Sequence, residues 1–158
     1  MAFLMTSGSK VEYTVSDTVG QHCLNRPDDV VLVQYFLTLA TKISVHDGGM
    51  REYPPIGGPL LVDGQYGPKT HYWSLYYLMY ACDDLKDAFN CQAFFMNHLD
   101  YKPSPKNRPM ARLMRVAEFT LGSKEWAALP DSPRTPLLLR TALKKYGPKA
   151  GARPLVKV

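Results

Sequence analysis

Residues 60–70, L-L-V-D-G-Q-Y-G-P-K-T, restrict the fold more than any other stretch of the chain. A short apolar run stops at Asp63-Gly64, and the chain turns again at Gly67-Pro68 before Thr70 opens an aromatic-rich stretch. An aspartate in such a turn can accept a hydrogen bond from the backbone two residues on. Gly64 supplies a left-handed backbone position without a Cβ clash. Pro68 suits the first turn of a helix, where its missing N–H is not needed. The segment reads as extended run, tight loop, helix start.

Helical spacing dominates on either side. Asn25 as a cap, Pro27 preset for a first turn, and Asp28 and Asp29 at the positive end of the dipole predict a helix start. Val30, Val33, Phe36, Leu37 and Ala40 then mark one face to about Thr41. A second helix is expected from Pro68 to about Ala81. Trp73, Tyr76, Tyr77 and Tyr80 fall on one side and Tyr72, Leu75 and Met79 on another, so it should be wrapped on most sides. Asp83-Asp84 can cap a third, bearing Leu85, Ala88, Phe89, Met96 and Leu99. After the Pro-rich link 101–109, Met110, Leu113, Met114, Ala117 and Leu121 give an i, i+3, i+4, i+7 stripe closed by Gly122. Ser123 starts a short turn through Leu129, and Pro130 stops it. Thr135-Pro136 opens a last helix with Leu138, Leu139, Ala142, Leu143 and Tyr146 inside and Gly147 as its stop. Residues 1–24 show no strong period and read as an extended arm or loop. Residues 43–59, with four Gly and three Pro, form a long connection. The chain should therefore be all-α, with one scrap of sheet near 60–62.

The D-G-x-x-G-P-x-T spacing of Asp63, Gly64, Gly67, Pro68 and Thr70 resembles the signature of the peptidoglycan-binding-like domain, a small three-helix module of bacterial wall enzymes and phage lysins. Upstream, Val30, Val33, Gln34 and Leu37 fit that family's first helix, V-x-x-(V/L)-Q-x-x-L. The likeness covers about residues 20–82. Past Thr70 the chain departs, with Trp73 where the family has a small residue and Tyr77-Leu78 near its Phe-Gln pair. The resemblance implies a three-helix peptidoglycan-binding-like unit over 20–82, with a helical extension over 83–158 packed into one continuous domain. It also implies a shallow groove beside the D-G loop, with Asp63, Tyr66, Tyr72 and Trp73 as ligand-binding candidates and residues 43–59 as a wall. Each candidate has a structural alternative. Asp63 can be the loop's internal cap, and the three aromatics can be core. His46, Arg51 and Tyr53 in the long connection read as solvated, with contact to an acidic stem peptide as the other reading.

Length and composition suit one globular domain, and no apolar run approaches the roughly 20 residues that span a bilayer. The first ten residues lack the basic and long apolar regions of a cleaved export signal. The expectation is a cytoplasmic protein, or one exported without a cleaved signal peptide. Cys23, Cys82 and Cys91 cannot all pair within one molecule and form no C-x-x-C, which fits a reducing compartment. Cys82 and Cys91 read as small buried residues. Charge is uneven: residues 1–80 carry five Lys/Arg and seven Asp/Glu, residues 81–158 fourteen and seven. The basic end reads as a solvated terminus. Attraction to nucleic acid, phospholipid or wall carboxylates is the alternative.

Chemistry-bearing patterns are sparse. His22, His46, His71 and His98 make no zinc-type pair, so neither metal nor cofactor is expected. His22 and Cys23 are adjacent, and neighbours along a chain point apart, whereas catalytic dyads converge in space. Glu12, Glu52, Glu118 and Glu125 show no paired setting of glycosidase type. Gly48-Gly49 and Gly57-Gly58 lack the Lys-Ser/Thr of a phosphate loop. The reading is a non-catalytic binding module that engages a peptidoglycan fragment (cell-wall muropeptide) or a protein partner. The alternatives are an adaptor or structural component of a phage particle or contractile secretion system, and a cell-wall hydrolase accessory or enzyme. Nucleic acid is not an expected partner.

Overall fold

Pro27 has its ring at the first position of a helix, where no backbone donor is lost, and the rest of the fold is built around that helix. A computed structural model describes residues 3–7, 10–16, 19–44, 49–50, 58–81 and 109–145. Helix α1, Pro27–Ala40, has no single apolar stripe. Val31, Leu32, Tyr35 and Leu39 are buried along with Val30, Val33, Phe36 and Leu37, so α1 is a central rod enclosed on all sides. Asn25 does not cap it. Arg26 holds the cap position with no side-chain hydrogen bond. Asn25 instead sits at φ 49°, accepts from Gly20 N at 2.9 Å, and donates to Gly20 O and Cys23 O. That amide closes a local loop instead of a helix end.

Residues near the N-terminus are not a loose arm. Strands β1, Phe3–Ser7, and β2, Lys10–Thr14, pair antiparallel with Leu4 opposite Tyr13 and Thr6 opposite Val11. Tyr13 and Val15 are fully buried. The hairpin is fixed to α1 by Asp29, whose buried carboxylate accepts from Ser16 N at 3.0 Å and Ser16 Oγ at 3.1 Å. A buried charge needs such partners, and its place in the first helical turn adds the dipole's support. Residues 60–62 carry no strand: Leu60 is buried while Leu61 is exposed.

Helix α2 runs Pro68–Ala81 as expected. Helix α3, Pro109–Ala127, buries Met110, Leu113, Met114 and Ala117. It breaks at Gly122 (φ 76°, ψ 155°), a conformation open to glycine, and resumes as a short turn. Helix α4, Leu137–Lys145, buries Leu139, Ala142 and Leu143. Leu138, expected inside, is 53% exposed. At about 100° per residue, position 138 lies roughly 90° from the centre of those three buried positions, on the flank of the helix. The helix expected over 84–99, the link 101–108, Cys82, Cys91, Tyr146, Gly147, and His46, Arg51 and Tyr53 lie outside the described residues.

The described residues are thus predominantly helical, with one hairpin. Helix α1 packs against α2, α3 and α4, while β2 meets α3 and β1 meets α4. Trp126 is the meeting point. Its ring stands edge-on to Tyr13 (4.9 Å, 78°) and tilts against Phe36 (5.5 Å), and Nε1 donates to Val11 O at 2.8 Å. Among the described residues, no helix is long and apolar enough to cross a membrane.

Candidate functional site

The 63–70 loop is organised from below by one amide. Gln34, on α1, is 1% exposed. Its Oε1 accepts from Asp63 N at 3.1 Å and Gly64 N at 2.9 Å. Its Nε2 donates to Asp63 Oδ1 (3.0 Å), Gln65 O (3.1 Å) and Thr70 Oγ1 (3.0 Å). Two amide hydrogens are shared among three oxygens, so the group is saturated, as a buried amide must be. Gly64 lies directly against α1 at φ 77°. A Cβ there would come within 3.0 Å of Val31 Cγ2 and 3.1 Å of Pro27 O.

Asp63 is exposed, and its Oδ1 also accepts from Gln65 N at 2.9 Å, closing the turn. The bonds from Gln65 N and from Gln34 hold its carboxyl below the usual carboxylate range. These bonds give Asp63 the structural part its position in a D-G turn allows. Thr70 is buried, and its carbonyl accepts from Ser74 Oγ, continuing the polar seam into α2.

The three aromatic candidates divide. Trp73 is fully buried in the core and presents no ring face to solvent. Tyr66 and Tyr72 are half-buried. Tyr66 meets His71 edge-on, with its hydroxyl 2.9 Å from Nδ1. Burial, and then the nearby Cys23 thiol, push the Tyr66 phenol up to about 12, so it is neutral near pH 7. Tyr72 stacks on Tyr76 with centroids 6.4 Å apart. Two aromatic pairs therefore lie along the first turns of α2, beside the Asp63 loop.

The sequence pattern named Gln34 without its role, and did not place His71 or Tyr76 at the site. The i, i+4 spacing of Tyr72 and Tyr76 was a readable signal. The Tyr66–His71 pairing spans a loop-to-helix boundary, where periodicity says nothing.

Comparison with known protein families, with characterised proteins and with solved structures finds no match to this chain. The site must therefore be read from its own chemistry. Among the described residues, no three His, Cys, Asp or Glu side chains group as metal ligands would. What the loop and α2 offer is aromatic faces with polar tips (Tyr66, His71, Tyr72, Tyr76) on a rigid base.

Proposed function

We propose that this chain is a non-catalytic binding module related in design to the peptidoglycan-binding-like domains, with its contact surface at Asp63, Tyr66, His71, Tyr72 and Tyr76. The Gln34 network carries the reading. One buried amide joins the two separate patterns of the resemblance, the helix at 30–37 and the loop at 63–70. It supports a surface whose backbone is fixed before a ligand arrives, which lowers the ordering cost of binding. Half-buried tyrosines with hydroxyl tips suit both sugar faces and peptide groups.

A protein partner is preferred over a simple muropeptide. Trp73 is buried in the core where the resembled family carries a small residue, so it offers no ring face on which a small sugar ligand could stack. An NMR titration of the full chain separates the two ligands. With soluble muropeptides, the preferred reading expects no saturable shifts at sub-millimolar ligand. Shifts clustered at residues 63–76 would keep the module and replace its partner. Retention on purified sacculi with a silent muropeptide titration would indicate an assembled wall or a wall-bound protein. A purification from native cells that returns only the monomer would count against the protein-partner reading.

A further inference from the structure

Helix α4 presents an outer face that the binding reading does not use. Leu139, Ala142 and Leu143 face the core, which leaves Leu137, Leu138, Thr141, Lys144 and Lys145 away from it, all exposed. Leu137 is 68% and Leu138 53% exposed, side by side on the surface. The helical repeat sets Leu137 in line with Lys144 and Leu138 in line with Lys145, each about 10 Å further along the axis. The face is therefore apolar at one end and cationic at the other.

The sequence from this helix onward carries one sign of charge. Residues 132–158 contain seven Lys/Arg and no Asp/Glu. Arg134 lies exposed just before the helix. One carboxylate from outside that stretch touches this face: Asp131 Oδ1 lies 3.0 Å from Lys144 Nζ. Both partners are well exposed, and a surface pair of this kind contributes little and gives way readily to other anions.

We propose that the outer face of α4 docks on an anionic phospholipid surface, with Leu137 and Leu138 entering the headgroup boundary and Lys144, Lys145 and Arg134 meeting lipid phosphates. Charge complementarity favours an anionic partner, and the leucine pair selects a bilayer over a nucleic acid, whose phosphate backbone has no use for exposed leucine. The helix is already folded and anchored by its other face, so docking requires no new secondary structure.

The test is co-sedimentation of the full chain with vesicles of phosphatidylcholine alone and of phosphatidylcholine with phosphatidylglycerol. The proposal expects binding to the second and little to the first, weakened by salt. Replacing both lysines (K144Q with K145Q) should weaken partitioning about thirtyfold. Replacing both leucines (L137S with L138S) should weaken it about tenfold or more. Asp131→Asn should strengthen it, a change that a merely structural role for this face would not produce. All of these positions are exposed, and unchanged circular dichroism confirms that the fold is kept. No binding to anionic vesicles, or equal binding to both kinds, overturns the proposal. So does binding that the leucine change leaves intact, which is charge attraction alone. Duplex DNA binding with no vesicle binding overturns it in favour of nucleic acid.

Discussion

The junction between α1 and the 63–70 loop is held by directional bonds to one buried amide, whereas the junction of α1 with the hairpin and α3 adds to the Asp29–Ser16 bonds a larger aromatic contact around Trp126. The first joins residues 29 to 36 apart in sequence and demands a particular chemistry at each place. Gln34 must offer both an acceptor and a donor, and Gly64 must lack a Cβ. The second joins residues as far as 115 apart and asks mainly for volume and shape. Bulky apolar side chains can meet that demand in many combinations, so it leaves little signature in the sequence.

The largest effect should come from the aromatic junction. Trp126→Ala removes a nearly fully buried ring from between Tyr13 and Phe36, and urea unfolding should show a loss of about 3–5 kcal/mol. Trp126→Phe keeps most of the ring contact but leaves Val11 O without its donor, for a loss of about 1 kcal/mol beyond repacking. Next, Gln34→Ala strands the amides of Asp63 and Gly64, and should cost about 2–3 kcal/mol in the same assay. If Gln34→Ala proved costlier than Trp126→Ala, the polar junction would be the principal one and the comparison would be inverted.

Gly64→Val places a branched side chain at φ 77° against Val31 and Pro27, and should lower stability by about 1–3 kcal/mol in thermal melts. The smallest effect is expected at Asp63. Asp63→Ala removes the acceptor for Gln65 N, a loss of about 1 kcal/mol. Its carboxyl titrates below the ordinary value in the fold, so its contribution is present above the unfolded pKa of about 3.9. That contribution fades as pH falls through the lower folded value. Melts from neutral to acid pH should show parent and variant converging at the acid end. A gap that stays constant with pH would mean the carboxylate's charge is not what the turn uses.

The sequence was most legible where single residues have few substitutes. Asp63-Gly64 and Gly67-Pro68 announced the loop, and α2 begins at Pro68 as its ring geometry requires. Gly122 announced the break in α3. Legibility failed where a residue's role depended on distant neighbours. Asn25 had the composition of a cap, but its amide found Gly20 and Cys23 first. Residues 10–15, Lys-Val-Glu-Tyr-Thr-Val, do alternate polar and apolar, a strand signal that went unread because Phe3-Leu4-Met5 on the paired strand does not alternate. Leu138 looked like core in a run of three leucines, and only packing decides which of them face inward. At the candidate site, a count of aromatics could not separate the enclosed Trp73 from the half-buried Tyr66 and Tyr72.

Gln34 holds the loop beneath the aromatic surface. Amide hydrogen exchange at Gly64 tests this most directly, because its N–H is buried and donates to Gln34 Oε1. The parent protein should protect the Gly64 amide well above neighbouring exposed loop amides. Gln34→Ala should abolish that protection while the amides of Leu113 and Ala117 in α3 keep theirs. A Gly64 amide that exchanges freely in the parent, or stays protected in Gln34→Ala, would contradict the account.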